Sequence, residues 1–163
     1  MKLVGMLSMI VLLIGGCINL DQPQEKQFSY TVDDTCWQIS LPATWRKEPC
    51  KSKNSICFVD KDDLGVFQIS IIKVPESSIA NIAKVYFQNN PHIKITRKKH
   101  ITGNIWRGNV FYAIENDDAE WMYTFFAFDG FMLFSTLVSP NRDFMASESD
   151  TVLNTVLHIS PKP

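Results

Sequence analysis

The sequence lacks the glycine-rich motifs that mark many nucleotide-binding and acyl-transfer enzymes. Only 7 of its 163 residues are glycine, and none of them forms a P-loop, a Gly-x-Ser-x-Gly elbow or a dinucleotide fingerprint. Glu115 and Glu120 flank a predicted turn and could in principle perform acid–base chemistry. Because they sit at a strand end, they are interpreted as solvating groups. The sequence therefore predicts a protein without enzymatic activity.

The chain also lacks an excess of charge, with 16 basic against 17 acidic residues. Proteins that bind nucleic acid present clustered Lys and Arg on a basic domain, so no nucleic-acid partner is predicted. The one basic run, residues 97–100, is interpreted as a solvated strand edge. None of His92, His100 and His158 has a neighbour at the spacing of a zinc site, so no metal or cofactor is predicted.

No apolar run is long enough to cross a membrane, which takes about 20 residues. The longest run, from Leu3 to Ile14, follows the basic Lys2 and has the length of the apolar part of a secretory leader. It is followed by Gly15-Gly16-Cys17, and residues 13–17 resemble the lipobox of bacterial lipoproteins. In that family the cysteine thiol receives diacylglycerol, and the chain is cut just before the cysteine.

The lipobox resemblance implies a signal peptide over residues 1–16, lipidation of Cys17 and a polar tether over residues 17–27. In Gram-negative lipoproteins an Asp after the cysteine favours retention in the inner membrane, and here Ile18 stands in that place. The resemblance thus implies a membrane anchor in the cell envelope, in the outer membrane and facing the periplasm. The alternative is an ordinary secreted protein in which Cys17 is a plain thiol.

Three further cysteines, Cys36, Cys50 and Cys57, suit an oxidising compartment. Cys50 and Cys57 flank a short polar loop, so their disulfide is favoured, while a bond from Cys36 to either one stays open. In the chain-entropy model a ring of this size adds roughly 2–3 kcal/mol to the free energy of unfolding. A redox role is not expected, because no Cys-x-x-Cys motif occurs.

Residues 28–163 are predicted to form one globular domain, because apolar alternation begins at Phe28. Strands are predicted near residues 37–41, 56–59, 67–74, 93–101, 106–114, 121–128 and 131–138, with an extra strand at Phe28. Helices are predicted after Pro75 and at the end of the chain, the latter capped by Ser147 or Ser149. Asp129-Gly130 predicts a tight hairpin.

This order predicts an α+β fold, with an antiparallel sheet of about six or seven strands and two helices covering its faces. The later strands are apolar on both faces, which indicates that both faces of the sheet are covered. The element order, together with Leu41-Pro42-Ala43-Thr44-Trp45, resembles the PsbP-like fold that the Mog-type Ran-binding protein and bacterial DcrB-like proteins share. The resemblance covers about residues 28–160.

The PsbP-like resemblance implies an α/β sandwich that acts as an adaptor, chaperone or assembly factor, and it transfers no functional residues. The leading hypothesis is a non-catalytic, membrane-anchored lipoprotein whose periplasmic domain binds a protein partner in an assembly, chaperone or immunity role. The alternative is a carrier of a small apolar ligand. Its groove would be lined by Trp106 and Trp121, with Tyr112, Tyr123 and Phe125 beside them.

Overall fold

The structure, a computed structural model, describes residues 24–115 and 119–162, with the backbone alone for residues 76–80. The predicted signal peptide, Cys17 and most of the predicted tether lie outside the described residues. Within these ranges the elements are β1 (Glu25–Val32), β2 (Thr35–Pro42), β3 (Trp45–Glu48), β4 (Ile56–Asp60), β5 (Val66–Lys73), α1 (Glu76–Asn89), β6 (Lys94–Thr102), β7 (Arg107–Glu115), β8 (Ala119–Phe128), β9 (Phe131–Ser139), α2 (Arg142–His158) and β10 (Ser160–Pro161).

The strands form two sheets. Seven strands make the large sheet, in the order β3-β4-β5-β9-β8-β7-β6, and every neighbouring pair is antiparallel. The small sheet has the order β1-β2-β10. The predicted antiparallel sheet with two helices is therefore confirmed, and the small sheet is an addition to it.

One face of the large sheet carries the main core. It is covered by α2 and by the small sheet, whose Trp37, Ile39 and Leu41 are completely buried. The indole rings of Trp37 and Trp106 pack against each other, with ring centroids 5.3 Å apart. The apolar stripe of α2 completes this core through Val152 and other buried residues.

The opposite face of the large sheet is covered by α1. The helix contributes Ile82, Ala83, Tyr86 and Phe87, which pack against a cluster of sheet residues. The sheet residues of this second cluster include Phe111, Ala113, Tyr123, Phe125, Met132 and Phe134. Both faces of the sheet are thus covered, as the two-sided apolar pattern of the strands predicts.

The β8–β9 hairpin forms at the predicted turn. Phe128 pairs with Phe131, and both central residues, Asp129 and Gly130, have positive φ, at 46° and 75°. This is the conformation that two-residue hairpin loops require, and Asp-Gly adopts it readily.

The main differences from the sequence prediction are the start of β1, the short strands β3 and β10, and the start of α2. β1 begins at Glu25, three residues before the predicted start of the domain, because its ladder with β2 needs backbone groups and not apolar side chains. The short strands β3 and β10 were not predicted, since four and two residues cannot display an alternating pattern. α2 begins at Arg142, earlier than predicted.

Asn141 caps α2 by accepting a hydrogen bond from the backbone N–H of Phe144 at 3.0 Å. The prediction that Ser147 or Ser149 caps this helix is wrong. Both serines lie inside the helix, where their hydroxyls donate to the carbonyls of Phe144 and Met145. Serine can make this local bond as an alternative to capping.

The disulfide between Cys50 and Cys57 is present, with the Cα atoms 5.4 Å apart, which confirms the favoured pairing. Cys57 lies on β4 opposite Glu48, so the disulfide ties the residues that follow β3 back to the neighbouring strand. Cys36 is a free, half-buried thiol.

Candidate functional site

The most distinctive surface of the domain is the outer edge of β6. This nine-residue strand ends the large sheet, and among the described residues it pairs with β7 alone. Its side chains from Lys94 to His100 are all exposed. An edge strand leaves alternate backbone N–H and C=O groups without partners, so this surface has hydrogen-bonding capacity to offer.

The charge of the β6 edge is entirely basic. Lys94, Arg97, Lys98, Lys99 and His100 lie on it. The ion pairs that form within the described residues involve Arg46, Lys61 and Arg142, and none involves β6. Within the described chain, no cation of β6 therefore forms an ion pair with a carboxylate.

Aromatic rings of β7 lie beside three of these cations, Arg97, Lys98 and Lys99. The guanidinium of Arg97 lies 3.9 Å from the ring centroid of Tyr112, and the ammonium of Lys98 lies 5.3 Å from that of Phe111. Cation–π contacts of this kind restrain a side chain without cancelling its charge. Because residues 97 and 98 alternate, one cation faces the α2 side of the sheet and the other faces the α1 side.

A cleft lies on each side of β6. The cleft on the α1 side, of about 430 Å³, is lined by Lys84, Phe87, Ile95, Lys98 and Phe111 among others. Ile95 stands at its rim and is 45% exposed. This cleft combines apolar walls with two lysines.

The cleft on the α2 side has a volume of about 480 Å³. Arg97, Tyr112 and Glu120 contribute its polar lining, and Met145 of α2 contributes apolar surface. The carboxylate of Glu120 forms an ion pair with Arg142 of α2, with Oε1 and Nε 3.4 Å apart. Each face of β6 is thus bordered by a concave surface.

A polar network fixes the sheet beneath α1. The hydroxyl of Tyr123 donates a hydrogen bond to the buried carboxylate of Glu115, and the ring of Tyr86 from α1 packs 5.7 Å from that of Tyr123. Burial, followed by the bond to Glu115, raises the pKa of Tyr123, and burial raises the pKa of Tyr86. Both phenols stay protonated at physiological pH, and the network holds the side chains of Tyr86 and Tyr123 in place beneath α1.

The two tryptophans proposed for a ligand groove do not meet. Trp106 is completely buried in the main core, where its Nε1 donates to the carbonyl of Ile159 at 2.6 Å. Trp121 lies on the opposite face of the sheet and stacks on Tyr123, with ring centroids 5.6 Å apart. Tyr112 lies on the side of Trp106, whereas Phe125 lies on the side of Trp121.

Glu115 and Glu120 are also separated by the sheet. Glu115 faces the cluster under α1, and Glu120 faces the cleft beside α2. Ile114, not Glu115, is the residue that pairs with Glu120 across the strands. The structure therefore does not bring the two carboxylates together as an acid–base pair.

The sequence interpretation of residues 97–100 as a solvated strand edge is confirmed. What it missed is the scale of the basic region. Between Glu76 and Glu115 the sequence has no Asp or Glu, while it has Lys84, Lys94, Arg97, Lys98, Lys99 and Arg107. This segregation is the signal that identifies β6 as a basic edge of a chain that is nearly neutral overall.

Two other features of the described part of the chain bear on function. None of its helices is both long enough and apolar enough to span a bilayer. Within the same residues, no three side chains of His, Cys, Asp or Glu are grouped as metal ligands.

The sequence matches no known family and no curated protein. Its structure is similar to the solution structure of the cyanobacterial PsbP protein of Synechocystis sp. PCC 6803, with a TM-score of 0.59 at 10% identity. That match covers 91% of this chain and 99% of the other. The domain has the PsbP-like fold.

Two further structures are similar to this PsbP-like domain. One is the protein PA94 of Pseudomonas aeruginosa, with a TM-score of 0.50, 13% identity and coverage of 84% and 98% of the two chains. The other is a protein of Bacteroides thetaiotaomicron, with a TM-score of 0.51 and 11% identity, of which this chain spans 45%. At these identities the similarity establishes the fold and nothing about activity.

Proposed function

We propose that this protein is a non-catalytic lipoprotein, anchored in the outer membrane through Cys17, whose PsbP-like domain binds a protein partner in the periplasm. An assembly, chaperone or immunity role fits this arrangement. The observation that carries the proposal is the β6 edge, which is long, exposed, basic and unpaired within the described residues. A surface of this kind suits recognition of another protein better than chemistry on a small substrate.

The contrast with the buried groups supports a binding role. Under α1, the buried Tyr123 and Glu115 are engaged with each other. The cations of β6, in contrast, point outward beside concave surfaces. Charged and apolar groups placed together around a cleft are typical of a site where a partner supplies the complementary charge.

The anchor rests on the lipobox resemblance of residues 13–17. Each buried CH₂ of an acyl chain contributes about 0.8 kcal/mol to membrane binding, and a single chain holds only marginally. Several chains on one cysteine would anchor the protein firmly. Residues 18–24 extend at most roughly 25 Å, so the domain would stay within reach of the membrane surface.

Intact mass spectrometry of the membrane fraction tests the anchor. We expect a mass that begins at Cys17 and includes acyl chains, and a Cys17→Ala variant that leaves the membrane fraction. An unacylated mass, or a Cys17→Ala variant that stays in the membrane, would remove the anchor.

Crosslinking in living cells tests the partner. A photo-crosslinking amino acid replaces Lys98 on β6 or, as the matched control, the exposed Lys47 on β3 at the other edge of the sheet. We expect a discrete crosslinked protein from position 98 that is missing from position 47. Equal products from both positions, or none from position 98, would refute the binding of a protein partner at β6 in the cell.

A further inference from the structure

We infer that β6 receives an acidic, extended segment of its partner, which adds to the large sheet as an eighth strand. This inference rests on the proposed function and makes it specific, because it names the chemistry and the conformation of the segment that binds. Three independent features of the edge point to it: the backbone, the flanking clefts and the charge.

The backbone of β6 is regular over the length that such an addition needs. The register with β7 is continuous from Arg97 to Thr102, after an irregularity between Ile95 and Arg97. The Thr96 hydroxyl donates to the carbonyl of Tyr112 at 3.1 Å, which ties this irregularity to β7. Strand addition to an open edge draws its affinity from main-chain hydrogen bonds, and the six residues from Arg97 onward offer them.

The two clefts match the alternation of an added strand. Successive side chains of a strand point to opposite faces of the sheet. A strand beside β6 would therefore direct one set of side chains towards the cleft with Phe87, Ile95 and Phe111, and the other set towards the cleft with Arg97 and Tyr112. Pockets for alternate side chains are what give strand addition its sequence specificity.

The charge selects the occupant. Lys84 and Lys98 line the cleft on the α1 side, where the described lining has no carboxylate. Glu120 lines the other cleft, but Arg142 holds it. An incoming segment with carboxylates is thus attracted most strongly on the α1 side, where a basic segment is repelled. On the α2 side the charge of Asp150 acts on Tyr112 beside Arg97, so the attraction there is weaker.

Lysines and bulges also protect edge strands from indiscriminate pairing, and β6 has both. The lysines and the bulge disfavour pairing with a neutral or basic strand. An acidic strand can still pair, because its carboxylates are attracted to the lysines. Protection alone would not require the exposed Ile95 or the apolar wall of Phe87 and Phe111 beside the edge.

A labelled peptide tests the inference on the full chain, purified in a mild nonionic detergent. The probe is a short peptide of alternating Glu and Leu or Val, and binding is followed by fluorescence anisotropy. Two versions carry backbone N-methyl groups on alternate residues, one set on each edge of the extended peptide. We expect one N-methylated version to lose binding at least about tenfold and the other to bind normally, because only one edge of an added strand donates to β6.

Charge variants complete the test. Arg97→Glu/Lys98→Glu on β6 should weaken peptide binding at least about tenfold, since steering and attraction depend on these cations. The matched control, Lys47→Glu/Lys51→Glu, reverses two exposed charges near the other edge and should bind normally. A peptide with Lys in place of every Glu should not bind.

Each remaining outcome contradicts strand addition. Equal binding of both N-methylated peptides would indicate attraction by surface charge without strand pairing, and no binding of the parent peptide would remove the inference.

Hydrogen exchange of the protein in nanodiscs tests whether β6 binds a membrane surface and not a peptide. Protection of β6 in phosphatidylglycerol but not in phosphatidylcholine, without peptide binding, would identify the edge as a membrane-facing surface.

The peptide and crosslinking experiments separate the inference from the proposed function. Crosslinking from position 98 without peptide binding would leave the proposed partner in place and remove strand addition. Peptide binding without any crosslinked protein would leave strand addition at β6 in place and remove the proposed partner in the cell.

Discussion

The two edges of the large sheet are built in opposite ways. β3 has four residues, and the Cys50–Cys57 disulfide ties the chain that follows it to β4. Of the two cations on β3, Arg46 bonds to Glu48 and Asp63, so its charge is compensated locally, whereas Lys47 is exposed. β6 has nine residues, with no crosslink and no acidic partner among the described residues.

The difference shows how one sheet can close one edge and keep the other available. Proteins blunt edge strands by making them short, covering them or placing charges on them. β3 is short and covalently secured, and so it offers little to a partner. β6 keeps its length and concentrates like charge beside two clefts, which makes it selective rather than closed.

The largest expected effect is at the β3 edge. Removing the disulfide with Cys50→Ser/Cys57→Ser should lower the free energy of unfolding by about 2–3 kcal/mol, because the unfolded chain gains entropy. Urea denaturation measures this, with Cys36→Ser as the control for a cysteine outside the bond. Peptide binding at β6 should not change; if it is lost with the disulfide, the two edges are coupled and the comparison fails.

The next effect lies under α1, which forms one wall of the β6 cleft. Tyr123→Phe removes the donor to the buried Glu115 carboxylate and should cost about 1–3 kcal/mol in the free energy of unfolding. Tyr30→Phe is the control, since Tyr30 lies in the small sheet. A Tyr123→Phe protein as stable as the Tyr30→Phe protein would show that the network does not stabilise the α1 face.

A smaller effect is expected at the rim of the cleft. Ile95→Thr keeps a branched side chain that suits a strand but removes apolar surface, and should weaken peptide binding roughly fivefold, or about 1 kcal/mol. Val66→Thr on β5 is the matched control, because Val66 is similarly exposed at 41% against 45%. Titration by anisotropy compares the two, and equal losses would place the binding surface elsewhere.

The smallest effect is absent at neutral pH and appears only in alkali. The pKa values of Tyr30, Tyr86, Tyr112 and Tyr123 are all raised, mainly by burial. Above about pH 10 the unfolded chain loses phenol protons that the native state retains, so the free energy of unfolding falls as pH rises past that value. Absorbance of tyrosinate should therefore rise together with loss of the native fold, and ionisation within an intact fold would contradict this.

Much of the fold follows from local patterns in the sequence. Alternating residues such as Phe67, Ile69 and Ile71 mark their strands, and Asp129-Gly130 marks its hairpin. The strands β3 and β10 cannot be predicted in this way, because they are too short to show an alternation of apolar and polar residues. The cap of α2 was missed because Pro140-Asn141 resembles a loop, although Asn is a good N-cap residue.

The separation of Trp106 from Trp121 depends on register. Glu115 pairs with Ala119, so three residues lie between the paired positions of β7 and β8. Changing the register by one residue would turn every side chain of β8 to the other face. Alternation within each strand is readable from the sequence, but this register is not, and so the proposed groove combined residues from two faces.

The most direct test of the central claim is hydrogen exchange of β6 and β3 in the full-length protein, in isolated envelopes and after purification. We expect the amides of residues 97–102 to exchange more slowly in envelopes, where the partner is present, and those of residues 45–48 to exchange alike in both. The Arg97→Glu/Lys98→Glu variant should lose the additional protection. Equal exchange of β6 in envelopes and in the purified protein would contradict the claim that this edge is where a partner binds.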